Sequence, residues 1–214
     1  MKLVLLGIGF GALAMPAVAG VAYSFENDVM GWSVVSDATG FTWDDTIGNN
    51  GLGAIRARDV ANGDYWFFSA PSEDLGDVSG LYGNSISYDI LGITGNQGTG
   101  GSLADVVLTG AGMSIGINFG VQPINGTWVS VSTLVDESAD WMMVNSFANA
   151  TLSDTDATMS DIQAVLADLD GFYIRGEYTI GGDSSALDNV DFVPSPSALA
   201  LLGMGGLMTA RRRR

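Results

Sequence analysis

Short runs of Val, Ile, Phe, Tyr and Trp alternate along this chain with clusters of glycine and of Asn or Asp, roughly every eight to twelve residues. A pattern of brief strands separated by turn residues limits the fold to a sandwich or a barrel. Candidate strands are 21–25, 32–36, 54–59, 65–69, 85–90, 105–109, 113–119, 128–134, 171–178 and 186–192. In 85–90, Ile86, Tyr88 and Ile90 face one way and Ser85, Ser87 and Asp89 the other. Met113, Ile115, Ile117 and Phe119 alternate in the same way with Ser114, Gly116 and Asn118. This is the signature of an antiparallel sheet with one face in the core. One helix is expected: Met159, Ile162, Val165, Leu166 and Leu169 recur at helical spacing. Ser160 is its expected cap, with Gln163 completing a capping box and Gly171 ending the element.

Both ends of the chain read as targeting segments rather than as parts of that domain. Lys2 precedes an apolar run from Leu3 to Met15, and Ala17-Val18-Ala19 follows Pro16. A short positive region, a short apolar region and an A-x-A site describe a secretory signal peptide at 1–19. At the other end, Val193, Pro194, Ser195 and Pro196 lead into a mostly apolar stretch at 198–210. Arg211, Arg212, Arg213 and Arg214 close the chain. An apolar run stopped by arginines is expected to be a membrane helix whose basic end stays in the cytoplasm. The segment 193–214 resembles a PEP-CTERM sorting signal. The resemblance implies bacterial export and processing by an exosortase-type membrane protease. Where that family usually has Val-Pro-Glu-Pro, this chain carries Ser195 in the glutamate position.

Between these ends lie residues 20–192, a length that suits one domain with a sizeable core. All 24 acidic residues fall here against three basic ones, Arg56, Arg58 and Arg175, a net charge of −21. Such a field repels nucleic acid and anionic membrane surfaces. The chain has neither cysteine nor histidine. Disulfides, Ser-His-Asp and Cys-His chemistry and histidine-ligated zinc are therefore excluded. A paired-carboxylate mechanism is the hydrolytic chemistry left. The four glutamates, Glu26, Glu73, Glu137 and Glu177, show no spacing that pairs two of them across a cleft, and no catalytic residue is assigned.

From Tyr65 onward the chain resembles a laminin B domain (laminin domain IV type A). Tyr65-Trp66-Phe67-Phe68-Ser69-Ala70-Pro71 is similar to the family's Tyr-Trp-x-Phe-x-Ala-Pro opening. Leu75-Gly76-Asp77, Tyr82-Gly83-Asn84-Ser85-Ile86-Ser87-Tyr88, Asp105-Val106-Val107-Leu108-Thr109-Gly110-Ala111-Gly112 and 169–178 follow in the family's order, closed by Leu187-Asp188-Asn189-Val190. Animal laminin modules are flanked by cysteine-rich repeats, which this chain lacks. The resemblance implies an all-β, two-sheet jelly-roll sandwich of the galactose-binding-like kind, extracellular, structural or adhesive, and without catalysis. Arg175 is expected to pair with a partly buried carboxylate, Asp188 or Glu177.

Two ligand sets complete these expectations. Glu26, Asp188 and Asp191 lie near the first and last strands, where jelly-roll modules often hold a structural calcium. Carboxylates with backbone carbonyls are the oxygen donors that ion takes. Trp43, Trp128 and Trp141 lie in or beside expected loops, where aromatic faces stack on sugar rings. The expected partners are an extracellular polysaccharide or matrix protein, the processing protease, and the membrane through 198–210. The function expected is a non-catalytic surface or matrix protein, or alternatively a module that binds exopolysaccharide.

Overall fold

The computed structural model describes residues 21–49, 51, 53–60, 63–94, 103–120, 122–123, 126–179 and 181–192. The segment 1–19 expected to be a signal peptide, the motif at 193–196, the apolar run at 198–210 and the four arginines lie outside the described residues. No helix among the described residues is long and apolar enough to cross a membrane. The described residues fall within one compact unit, Ala19–Ser195.

Thirteen strands and one α-helix are formed among them. The strands are β1 (Val21–Tyr23), β2 (Ser33–Val35), β3 (Ala38–Asp44), β4 (Ala54–Asp59), β5 (Phe67–Ser69), β6 (Ser85–Thr94) and β7 (Val106–Gly110). They continue with β8 (Met113–Ile117), β9 (Trp128–Leu134), β10 (Met142–Ser146) and β11 (Thr151–Asp156), then β12 (Leu169–Arg175) and β13 (Ser184–Phe192) after helix α1 (Met159–Ala167). A six-stranded sheet runs β3-β4-β13-β6-β9, with β1 also paired to β13. A seven-stranded sheet runs β11-β10-β8-β7-β12-β5-β2. Every pairing is antiparallel. The result is the expected two-sheet sandwich with one short helix.

Alternation explains the core. Ile86, Tyr88 and Ile90 of β6 point inward with Leu187 of β13 and Ile55 of β4, meeting Phe68, Leu108, Ile115, Phe172 and Ile174 from the facing sheet. A chain of edge-on aromatic contacts crosses this core: Tyr23 to Trp32 at 5.3 Å, Trp32 to Phe172 at 6.0 Å, and Phe172 to Phe192 at 4.9 Å between ring centroids. Gly176 lies directly under Trp66. A Cβ there would stand 2.0 Å from the Trp66 ring, so only glycine lets the backbone pass.

Three strands fall outside the expected set, namely β3, β10 and β11. Strand β3 contains Gly40 at φ +63°, and its register against β4 shifts between Thr39 and Thr42. That bulge breaks the alternation that marks a strand. Strand β11, Thr-Leu-Ser-Asp-Thr-Asp, is a sheet-edge strand with an exposed C-terminal half.

The helix also begins differently from the expectation. Thr158, not Ser160, is the N-cap. Its hydroxyl accepts the Asp161 amide, and the Asp161 carboxylate accepts the Thr158 amide at 2.9 Å. A short carboxylate closes the capping box where Gln163 was expected. The C-cap is Asp168 rather than Gly171, which already lies within β12. Ile162, Val165 and Leu166 bury the inner face of α1.

Arg175 corrects a further expectation. Its Nη2 lies 2.5 Å from Asp105 Oδ1, and both side chains are 1–2% exposed. The guanidinium also sits 4.4 Å from the Tyr178 ring centroid. Asp105 further accepts the Phe119 amide at 2.7 Å. The partner is thus set by β12 running beside β7, which Asp105 immediately precedes, and is neither Glu177 nor Asp188.

Candidate functional site

The outer face of the six-stranded sheet carries the candidate site. In β6, Ser87, Asp89 and Leu91 alternate with the core residues and so point away from the facing sheet. The registers Asp89↔Ser130, Ser87↔Ser132, Leu91↔Trp128 and Asp188↔Asp89 set their outer-face neighbours. A trough of about 310 Å³ lies over this region, lined by Ser87, Asp89, Ser130, Ser132 and Asn189 among others.

Asp89 organises the trough. Ser130 Oγ donates to Asp89 Oδ1 at 2.5 Å, and the Asn49 and Asn189 side-chain amides donate to Asp89 Oδ2 at 2.9 and 2.8 Å. A nearly buried carboxylate with three donors is well satisfied. It therefore fixes the orientation of its partners rather than reaching outward. Asn189 stands at φ +49° in the bulge where the β13–β6 register shifts, a conformation asparagine tolerates better than most residues. The bulge is what turns a side chain of β13 toward the trough. What the trough presents is three serine hydroxyls and a carboxamide, groups that both donate and accept hydrogen bonds.

The expected metal trio does not assemble into one site. Asp188 Oδ2 accepts the Asn49 amide at 2.7 Å and Oδ1 accepts the Asn189 amide at 2.7 Å, one backbone donor on each carboxylate oxygen. Burial pushes the Asp188 carboxyl up to about 6, and the neighbouring charges of Asp89 and Glu26 add to that. Asp191 is raised by burial as well. Among the described residues no group of three or more acidic side chains is disposed to hold a metal ion.

The tryptophans separate by environment. Trp141 is 1% exposed and donates Nε1 to Leu134 O at 2.8 Å, so its ring has no face open to a sugar. Trp43 packs on the core and donates Nε1 to Phe25 O at 2.6 Å. Trp43 lies within β3, and Trp141 immediately precedes β10. Trp128 differs. It opens β9, pairs with Leu91, and packs on the outer-face cluster of Ala54, Leu91 and Ala186, two residues before Ser130. Of the three, it is the one beside the trough. The serines Ser87, Ser130 and Ser132 escaped the sequence reading, although alternation in β6 and β9 already put them together on one outward face.

Comparison with known proteins fits this architecture. The Laminin B (Domain IV) family profile matches residues 67–195. The chain belongs to the laminin B (domain IV) family. Among solved structures, this laminin B protein is similar to the L4b domain of human laminin α-2, with a TM-score of 0.53, 16% identity, and 65% of this chain and 78% of that chain covered. It is also similar to the N-terminal CBM22-1–CBM22-2 tandem domain of Paenibacillus barcinonensis Xyn10C, with a TM-score of 0.50 and 11% identity over 85% of this chain and 46% of that one. An exo-β-agarase gives a TM-score of 0.50 and 14% identity over 81% of this chain and 25% of that one. At these identities the likeness speaks for the fold alone. No curated protein sequence matches.

Glu177 is the described carboxyl with the most altered acidity. Burial pushes it up to about 8, helped by the charges of Asp59, Asp183 and Asp37. A carboxyl kept protonated near neutrality is a general-acid trait. It lines neither the serine trough nor the arginine-lined cavity on β4.

Proposed function

We propose that this laminin B protein is an exported, non-catalytic surface or matrix protein whose adhesive contact is a polysaccharide, with neutral sugar hydroxyls laid in the serine trough of the six-stranded sheet. The observation that carries the reading is the Asp89 arrangement. One satisfied carboxylate holds Ser130 and Asn189 in place, and with Ser87 and Ser132 they offer hydroxyl and amide groups to sugar hydroxyls. Trp128 supplies an apolar flank beside them. Preorganised polar groups lose less entropy on binding than mobile ones. The solved structures with a similar fold include the CBM22-1–CBM22-2 tandem domain.

The route to the surface is part of the same proposal. The signal peptide at 1–19 directs export. The segment 193–214 holds the protein in the membrane through 198–210 and is the substrate of an exosortase-type protease, with Ser195 in the family's glutamate position. Mass spectrometry of the exported protein tests this step: loss of Arg211 to Arg214 supports processing, and their retention marks a permanent anchor.

Ligand binding is tested with the full chain on an array of neutral polysaccharides, wild type against Ser130→Val. The variant keeps a side chain suited to a strand but replaces the hydroxyl, and with it one donor to Asp89, by methyl groups. Retention of xylan-like or glucan-like polymers by wild type, weakened about tenfold in the variant, is the expected result. A full array without retention contradicts the reading.

A further inference from the structure

On the same outer face, strand β4 turns Arg56 and Arg58 outward while Ile55, Ala57 and Asp59 point inward. These two side chains are the exposed cations of residues 20–192, since Arg175, the third, is buried against Asp105. A cavity of about 260 Å³ lies on them, lined by Gly40, Arg56, Ala57, Arg58 and Ser184. It shares only the sheet face with the serine trough and none of its lining residues.

Three details make this more than a pair of surface arginines. Arg56 gives only its Nε to Asp44 Oδ2, at 3.0 Å, which leaves the outer edge of the guanidinium open. Arg58 forms no ion pair among the described residues. Gly40, beside Arg58 in the β3 bulge, has no side chain to fill the space: a Cβ there would touch nothing but Arg58, at 3.7 Å. The register Thr39↔Arg58↔Ser184↔Thr94 extends a row of hydroxyls away from the guanidinium, with Thr94 and Ser184 joined at 2.8 Å.

We propose that Arg56 and Arg58 form a receptor for the acidic group of a sugar, so that the sheet face takes a polysaccharide bearing carboxylate or sulfate groups. This rests on the polysaccharide reading above and names a second subsite for it. A guanidinium fork matches a planar carboxylate or a sulfate with two parallel hydrogen bonds. The hydroxyl row beside it suits the neutral hydroxyls of the same sugar ring. The small cavity favours a single sugar unit over the broad face of an acidic protein. The long-range field of the acidic domain opposes an anionic polymer, but salt confines that field to about 8 Å at physiological ionic strength. Contact with the arginines then decides retention.

The test is affinity electrophoresis of the full chain in gels containing polygalacturonate, dextran sulfate, neutral xylan or polyglutamate. Wild type is expected to be retarded by polygalacturonate, and Arg56→Gln/Arg58→Gln to lose that retardation at least tenfold. Arg58→Lys, which keeps charge but not the fork, is expected to fall between them. Unchanged melting temperatures in the variants exclude a folding defect. Dextran sulfate acting through the same arginines supports the acidic-group receptor with sulfate as the source. Equal binding of polyglutamate, equal binding by the double glutamine variant, or no retardation by either acidic polysaccharide overturns the proposal. Xylan retention, sensitive to Ser130→Val, is read in parallel. If it persists while acidic polymers fail, only this inference falls. If it fails while acidic polymers bind through the arginines, only the trough reading falls.

Discussion

Replacing Glu177 by glutamine is expected to stabilise this protein at alkaline pH, an unusual direction for removal of a charged group from a folded domain. Glu177 follows β12 and lies near Asp37, Asp59 and Asp183, which are 6%, 9% and 5% exposed. Its Oε2 is buried with no hydrogen-bond partner. Burial first, then the charges of Asp59, Asp183 and Asp37, raise its pKa from 4.5 to about 8. The folded protein therefore holds this proton up to about pH 8, whereas the unfolded chain releases it near 4.5. Between those values the folded state binds more protons, so stability falls as pH rises. The whole interval would be worth ~5 kcal/mol. Because the carboxyl is only half-buried, solvent screening reduces this to about 2 kcal/mol. For a domain of this size that is ~4–8 °C in melting temperature. The assay is thermal unfolding followed by circular dichroism at pH 5 and pH 8. Wild type should melt lower at pH 8 than at pH 5, and Glu177→Gln should recover most of the difference at pH 8 while changing little at pH 5. Equal melting of both proteins at pH 8, or a wild type more stable at pH 8 than at pH 5, refutes the reasoning. Asp183 and Asp188, each raised to about 6 by burial first, act in the same sense at lower pH.

Other perturbations have defined outcomes. Asp105→Asn strips the charge partner from a guanidinium that is 1% exposed, and chemical denaturation should show a loss of about 3–5 kcal/mol. Gly176→Ala drives a methyl group to 2.0 Å from Trp66; a loss of about 3 kcal/mol or failure to fold is expected, visible as quenched or shifted tryptophan fluorescence. Thr158→Ala opens the capping box of α1 and should cost about 1 kcal/mol in the same denaturation assay. Trp128→Ala should weaken polysaccharide retention severalfold with little change in melting temperature, whereas Trp141→Ala, which empties a fully buried site, should lower stability by about 3–5 kcal/mol.

Much of the sandwich was legible because its central strands obey simple alternation. Strands β4 and β9 match the sequence reading at both ends, and β6 and β13 differ from it only by extension. The strands that escaped, β3, β10 and β11, are broken by a glycine bulge or carry pairing with repeated register shifts. The ion pair of Arg175 was not legible, because a partner seventy positions away is set by strand order and not by local pattern. The site was half visible. Trp128 was selected, but together with two tryptophans whose burial depends on tertiary packing. Asp188 was selected as a metal ligand, whereas the structure assigns its oxygens to the Asn49 and Asn189 backbone amides. The two arginines of β4 stood out only as a count, and their shared outward face became evident with the register.

The most direct test of the central claim is amide chemical-shift mapping of the full chain with a neutral oligosaccharide retained on the array. The account predicts shifts concentrated at Ser87, Ser130, Ser132 and Asn189, with Trp128 beside them. Shifts confined to the opposite sheet, around Phe67, Phe147 and Tyr173, would contradict it.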